Sequence, residues 1–323
     1  MKLQRRRFLH LAAGAAAVPL LSRIARAQGY PTKPVRWIVP LAPAGGQDIV
    51  ARLIGQWLSQ RLGQQFVIEN RPGANGNIGT EAVVRALPDG YTLLLMSANN
   101  AISATLYERL NFNIIRDIAP IAAIMRVPNI MEVNLSVPVK TVPEFIAYAK
   151  AHPGKLNMAS GGNGSSAHMA GELFKMMTGV NIVHVPYRGG TLSDLIGGRV
   201  QVSFGPMPAA IEHVRAGTLR ALAVTSATRS DTLPDLPTVA DFVPGYESSS
   251  WFGVGAPKDT PVEIVDKLNK EINAALSDPK MQARLADLGA TVLPGSPADF
   301  GKLIADEVEK WGKVVRAANI KVE

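Results

Sequence analysis

Two stretches of this 323-residue chain are built alike, and together they limit what it can fold into. In residues 40–48 (PLAPAGGQD) a β-rich run ends, adjacent glycines free the backbone, and a helical pattern begins. Residues 157–166 (NMASGGNGSS) do the same, with Gly162 lying 117 positions after Gly45. A strand feeding a helix through a glycine turn is the unit of open α/β folds, whose ligands gather beyond the carboxyl ends of the strands. Each helix start presents unpaired N–H groups and roughly +0.5 of an effective charge, so each loop is an anion seat that needs no arginine. One such turn alone could serve only as a tight connection. Two of them, one per unit, point to a shared ligand.

The surrounding periodicity extends the pattern. Residues 35–41 read as a strand, and Ile49, Val50, Leu53, Ile54, Trp57, Leu58 and Leu62 then recur at helical spacing, with Gly63 placed as a left-handed cap. A strand at 66–69, a glycine-rich loop at 71–79, a short helix to 87 and a strand at 91–96 complete a first unit. A second unit opens at the capping box of Thr141 and Glu144 and continues through strands near 156–160, 182–187, 200–204 and 219–226. The last third is helical, each helix announced by a capping residue ahead of proline: Thr260-Pro261, Asp278-Pro279 and Ser296-Pro297. These helices need a sheet to cover, and the first unit lacks a C-terminal one. The expectation is an α/β chain of two domains, each a mainly parallel sheet flanked by helices. Residues 28–127 with 254–323 make the first, 128–253 the second, and crossings near 126–133 and 251–256 form a hinge.

Residues 1–27 stand apart. Lys2, Arg5, Arg6 and Arg7 precede an apolar run, 11–21, too short to span a bilayer, and Ala25-Arg26-Ala27 fits a small-x-small cleavage pattern. This reads as a signal peptide cleaved after Ala27, leaving 296 residues for export. Arg5-Arg6-Arg7-Phe8-Leu9 fits the twin-arginine pattern; an ordinary signal with a basic head is the alternative. The segment carries six of the formal +8 charges, so the mature chain is near +2. With no later block of like charge and no basic stretch interleaved with aromatics, nucleic acid is excluded as a partner. The chain has no cysteine, which excludes disulfides, thiolate metal sites and lipid attachment at cysteine.

Enzyme readings find little support. Gly162-x-Gly164-x-x-Ala167 imitates the dinucleotide fingerprint, and export of a folded chain would suit a cofactor enzyme, so an exported nucleotide-dependent oxidoreductase is the alternative function. The acidic residue expected about 20 positions further on is missing, since residues 178–188 contain none. No G-x-S-x-G elbow or phosphate-binding G-x-x-x-x-G-K-[ST] loop occurs. His168 and Glu172 lie one helical turn apart but lack a third metal ligand. His184 reads as a hydrogen-bonded strand residue. No catalytic residue, cofactor or metal is expected. Asp48 either complements its own helix or holds a ligand amine. Ser160, Asn163, Ser165 and Ser166 can face an oxyanion while capping the helix that follows.

With these residues in view, the chain resembles the Bug-type (TctC-like) extracytoplasmic receptors of tripartite tricarboxylate transporters. The likeness rests on Tyr30-Pro31-x-Lys33-Pro34, on P-x-x-P-x-G-G-x-D-x-x-A-R from Pro40 to Arg52, and on E-N-R-P-G-A-x-G-x-I-G from Glu69 to Gly79. It continues through P-D-G-Y-T-L from Pro88 to Leu93, G-x-G-S-x-x-H-x-x-x-E-L-F from Gly162 to Phe174, His184-Val185-Pro186-Tyr187 and Leu222-Ala223-Val224-Thr225. The resemblance implies a periplasmic, monomeric Venus-flytrap receptor that holds a small carboxylate through backbone groups and bridging waters, then delivers it to the membrane subunits of the transporter. It places Ala42, Ala44, Gly45, Gln47 and Asp48 on one side of an interdomain cleft and Ser160, Asn163, Gly164, Ser165, Ser166 and His168 on the other. Ser97, Asn99, Asn129, Tyr187 and Met207 are expected to line it too. Ala44 stands where the family commonly has a third glycine, and Gln47 where it has a small hydroxyl residue.

Overall fold

The computed structural model describes residues 29–43, 45–187 and 191–321. The expected signal peptide, its cleavage point and Ala44 lie outside the described residues.

The first half follows the expected alternation. Strand Val35–Val39 (β1) leads to helix Gly46–Leu62 (α1), which stops where Gly63, at φ 72°, returns its N–H to Ser59 O. Phe66–Asn70 (β2), a 3₁₀ turn at Ala74–Gly76, helix Asn77–Val84 (α2), strand Thr92–Ser97 (β3) and helix Ala98–Leu106 (α3) come next. The short helix Ile114–Asp117 (α4), capped by Asn113, then releases the chain into Ile118–Val133 (β4). β4 is 16 residues long, almost wholly buried, and reaches from one sheet into the other.

The second half repeats the theme with helix Val142–Ala151 (α5), strand Asn157–Ser160 (β5), helix Ser166–Thr178 (α6), strand Val183–Pro186 (β6) and helix Thr191–Ile196 (α7). Strand Val202–Pro206 (β7), helix Met207–Arg215 (α8) and strand Arg220–Val224 (β8) bring it back to β4. Ser249–Pro257 (β9) then runs alongside the first part of β4, from Pro128↔Ser249 to Ile118↔Pro257. Helices Val262–Ser277 (α9) and Pro279–Ala286 (α10), the short strand Thr291–Val292 (β10) and helix Pro297–Ala317 (α11) finish the chain.

The strand order is β2-β1-β3-β9-β4-β7-β5-β6, with β8 and β10 also pairing β4. Strands joined through helices pair in parallel, β1 with β2 and β3, and β5 with β6 and β7. The crossing strands do not. β9 is antiparallel to both β3 and β4, and β4 is antiparallel to β7 and β8, so each sheet is mixed rather than mainly parallel. A chain that leaves a sheet and returns to it must bring its two crossings in opposite senses, which patterning within each unit does not register.

One face of the first sheet packs Val50, Ile54 and Leu58 of α1 and Leu268 and Ile272 of α9. The other face belongs to an apolar cluster that joins Ile102 and Leu106 of α3 and Phe300 and Trp311 of α11 to Met169 and Phe174 of α6. α11 thus fastens the two halves together. The buried Glu307 carboxylate accepts from Trp311 Nε1 at 2.8 Å and from Trp251 Nε1 of β9 at 3.2 Å, and it pairs with Lys310. No helix among the described residues is long and apolar enough to cross a membrane.

Candidate functional site

Beyond the carboxyl ends of β5 and β7 lies a cavity of about 330 Å³. Its polar wall includes Ser160, Ser165 and Ser166 at the start of α6, Ser193 of α7, Ser203 of β7 and Glu132 of β4, and Ala167, Leu192, Pro206 and Ala209 give it an apolar side. Ser165 is the N-cap of α6: at φ −68° and ψ 156° its Oγ accepts the His168 N–H at 3.2 Å. The amides of Ser166 and Ala167, in the first turn, have no acceptor within the helix. No lysine or arginine among the described residues lines this cavity, so the helix end and hydroxyl groups supply its attraction for anions.

The loop between β5 and α6 is held from beneath by a polar cluster. Ser160 Oγ lies 2.6 Å from His184 Nε2 of β6 and accepts the Gly162 N–H at 3.1 Å. The His184 ring stacks on His168 with centroids 3.7 Å apart and planes 9° from parallel. His168 Nδ1 accepts the Gly164 N–H at 3.1 Å, and its Nε2 faces Glu172 Oε1 at 3.7 Å, an oxygen that also receives Lys175 Nζ at 2.8 Å. Burial, with help from His168 and Lys175 and against Glu172, holds His184 down to about 4. His184 is therefore a neutral imidazole resting on the Ser160 hydroxyl, which fixes the loop. Among the described residues no group of three or more histidine or acidic side chains converges as a metal site.

The first loop is built differently. Gly45 caps α1 by its backbone alone and stays exposed, as do Ala42 and Gly46. Asp48 is buried and takes both Nε and Nη2 of Arg52 at 2.9 Å, while Arg52 and Leu41 O are tied to Asn70. Gly79 lets Pro40 lie against the loop after β2: a Cβ there would stand 2.9 Å from Pro40 Cα and from Arg71 O. The end of β3 is likewise engaged within its own half. Ser97 N–H donates to Asn100 Oδ1, Asn100 Nδ2 donates to Thr80 Oγ1, and Asn99 Nδ2 donates to Asn75 Oδ1 at 3.0 Å. The two halves also meet where Gly164, at φ 74°, packs against Leu106 of α3 near Asn75.

The family description "Tripartite tricarboxylate transporter family receptor" matches residues 50–320. Protein BugT of Bordetella pertussis is 38% identical over 302 residues, spanning 92% of this chain and 93% of that protein. Among solved structures, R. palustris Rpa4515 with adipate is 40% identical, with TM-score 0.80 over 90% of this chain and 99% of that one. MatC from Rhodopseudomonas palustris with bound malate is 31% identical, with TM-score 0.76 over 88% and 100%. The chain belongs to the tripartite tricarboxylate transporter receptor family. Its fold is that of the two-domain solute-binding proteins.

In this receptor Ser160, Ser165 and Ser166 come together on the cavity wall. Asn163 is exposed on the same loop, and Gly164 and His168 shape that loop from behind. Tyr187 receives Gly162 against its carbonyl, and its hydroxyl donates to Asp194 at 2.8 Å. Ala42, Gly45, Gln47, Asp48, Ser97 and Asn99 belong to the facing half and do not line the cavity. Met207 stands apart: fully buried, it packs with Ile130, Ala210 and Val224 instead of reaching the cavity. Asn129 is 1% exposed at the point where β4 changes partners, and its Nδ2 has no hydrogen-bond partner in the protein. Gln47 Oε1 and both polar atoms of the Asn77 amide are in the same condition.

Sequence reasoning passed over Glu132, Ser203 and residues 191–193. For Glu132 a signal existed: it is the only charged residue in the seven-residue run 127–133, which is otherwise apolar but for Asn129. A lone carboxyl in a buried strand carries a desolvation cost that calls for a reason.

Proposed function

We propose that this receptor is exported to the periplasm behind a signal peptide cleaved after Ala27 and there captures a small dicarboxylate without chemical turnover. The carboxylate is passed to the membrane subunits of a tripartite transporter. Its two lobes are residues 28–127 with 249–323, and 128–248, the second crossing falling at the head of β9 rather than at 254. One carboxylate sits against the start of α6 and the Ser160, Ser165 and Ser166 hydroxyls. The loop around Ala42, Ala44, Gly45, Gln47 and Asp48 closes from the other lobe through backbone groups and bridging waters, and the receptor works as a monomer.

The observation that carries this reading is the hydroxyl-lined cavity at the head of α6 in a chain of this family. Its volume, near the lower end of the usual range of about 300–1,000 Å³ for ligand pockets, suits a short acid better than a nucleotide. Adipate and malate, the ligands seen with two relatives, set the chemical class to test. A thermal-shift screen of mono-, di- and tricarboxylates on the mature protein tests it. A true ligand at 100 times its dissociation constant adds about 2.7 kcal/mol. That is a rise of about 5 °C in melting temperature for a chain of this size. No shift with any carboxylate, in protein shown to be folded, sinks the reading.

A further inference from the structure

Glu132 is the one charged side chain among the described residues lining the cavity. It sits on β4 opposite Ser203 of β7, is 1% exposed, and neither carboxyl oxygen has a hydrogen-bond partner in the protein. Room is made for it by Gly205, where a Cβ would stand 2.7 Å from Glu132 Oε1. The titratable groups on the surrounding elements are engaged elsewhere. Arg220 of β8 donates to the carbonyl oxygens of Val137 and Val139, and His168, Glu172 and Lys175 of α6 interact with one another. Asp194 of α7 is held by Tyr187 and Arg199, Glu212 of α8 pairs with Arg215, and His213 lies against Thr218. No cation among the described residues faces the Glu132 carboxyl to offset its desolvation, and a buried carboxyl so placed relieves that cost by keeping its proton.

We propose that Glu132 acts as a neutral carboxylic acid whose O–H is donated to a carboxylate of the ligand lodged against the start of α6. This rests on the reading of the cavity as the ligand site and deepens it by naming what the site selects: an anion without an ammonium group, taken up together with retention of a proton. Burial pushes Glu132 up to about 8, the nearby Ser203 hydroxyl opposing the shift without a well-formed hydrogen bond, so the group is ready to donate at neutral pH. A ligand carboxylate beside it raises the proton's hold further. Binding and protonation are then linked: affinity is flat on the acid side of about pH 8 and falls about tenfold per pH unit above it. An amino-acid ligand would do the reverse, since its ammonium would pair with ionised Glu132, release a proton and bind more tightly as pH rises.

The test is isothermal titration of the mature receptor with adipate, malate and aspartate from about pH 6 to 9.5, in buffers of differing ionisation enthalpy. Wild type should take up close to one proton with adipate or malate at the alkaline end. Glu132→Ala should weaken binding about tenfold or more at pH 7, as loss of a charge-assisted hydrogen bond does. Glu132→Gln, which restores an N–H donor in place, should recover most of that loss but not the pH dependence. Should the alanine variant not fold, the glutamine variant decides alone. A pH slope that survives in Glu132→Gln, or proton release on binding, overturns the assignment while leaving the site intact. Failure of wild type to bind any of the three acids at any pH overturns both.

Discussion

Gly164 is one of the places where the two halves touch, and replacing it with alanine separates the energy of the loop from that of closure. Its φ of 74° lies in the left-handed region, which costs a side-chain-bearing residue about 1 kcal/mol. That strain belongs to the loop and is present however the lobes are arranged. The added Cβ would also stand 2.3 Å from Leu106 Cδ2, well inside contact distance, with Ile102 Cγ2 and Asn75 Nδ2 each at 3.7 Å. Leu106 is 4% exposed and has little room to retreat, so relief of the clash costs about 2 kcal/mol. This second penalty falls only on the arrangement in which the halves meet, which in the proposed clamp is the ligand-bound one. Gly164→Ala should therefore lower the melting temperature of the ligand-free protein by about 2–4 °C and weaken dicarboxylate binding about 30-fold. Leu106→Val, which removes the offending methyl, should return most of the affinity to the double variant without restoring the melting temperature. Calorimetric titration and thermal unfolding of the three variants read the two quantities separately. Wild-type affinity in Gly164→Ala, or a double variant no better than the single, refutes the idea that this contact is made on closure.

Other outcomes follow from features already described. Glu307→Ala strands two buried indole N–H groups, at about 1–3 kcal/mol each, so urea unfolding should show a loss of about 3–5 kcal/mol, and Glu307→Gln, which keeps an acceptor oxygen, about half that. A loss under about 1 kcal/mol in the alanine variant would mean that the tryptophans find other partners. Because His184 is held down to about 4, the unfolded chain binds the extra proton between its ordinary value near 6.5 and 4. Its contribution is complete above about pH 6.5 and is lost as the pH falls toward 4; the difference between wild type and His184→Asn in melting temperature should shrink over that window, and a constant difference counts against it. Gly79→Ala should cost about 1–3 kcal/mol by forcing Pro40 away from the loop after β2, whereas Gly46→Ala, with nothing within 4 Å of the new Cβ, should leave stability within about 0.5 kcal/mol. Equal denaturation midpoints for the two variants would contradict that packing.

Local chemistry made much of this molecule readable in advance. Gly63, Thr141, Ser165 and Ser296 mark helix ends because caps depend on one residue's own backbone or side chain, and each does so in the structure. Ser160, Ser165 and Ser166 were legible for the same reason, since a helix start after a glycine turn defines its own donors. His184 was rightly read as hydrogen-bonded, though its partner, Ser160, lies 24 positions away and could not be named. What sequence reasoning missed is contact between distant segments. Glu132 and Ser203 face each other only because β4 and β7 pair, and residues 191–193 reach the same wall from α7, contacts that no local period encodes. Met207 failed for a related reason. It follows a strand as a ligand residue would, but α8 begins there and turns its side chain under β4 and β8. Asp48 had two readings, and in the structure its carboxylate pairs with the arginine one turn on in its own helix.

β4 passes from one sheet to the other without leaving the extended conformation, and β9 accompanies it up to Pro128. Relative rotation of the lobes is then a twist of a two-stranded ribbon rather than the flexing of a floppy tether. The ribbon's ladder stops at Pro128, which has no N–H to offer, and Asn129 follows at once with its backbone clamped on both sides by Thr225. In the proposed clamp such a joint would resist sideways play while permitting torsion, so that the lobes keep a common axis as they part and return. Amide exchange along it should be slow even though the joint moves, the opposite of what a loop hinge would show.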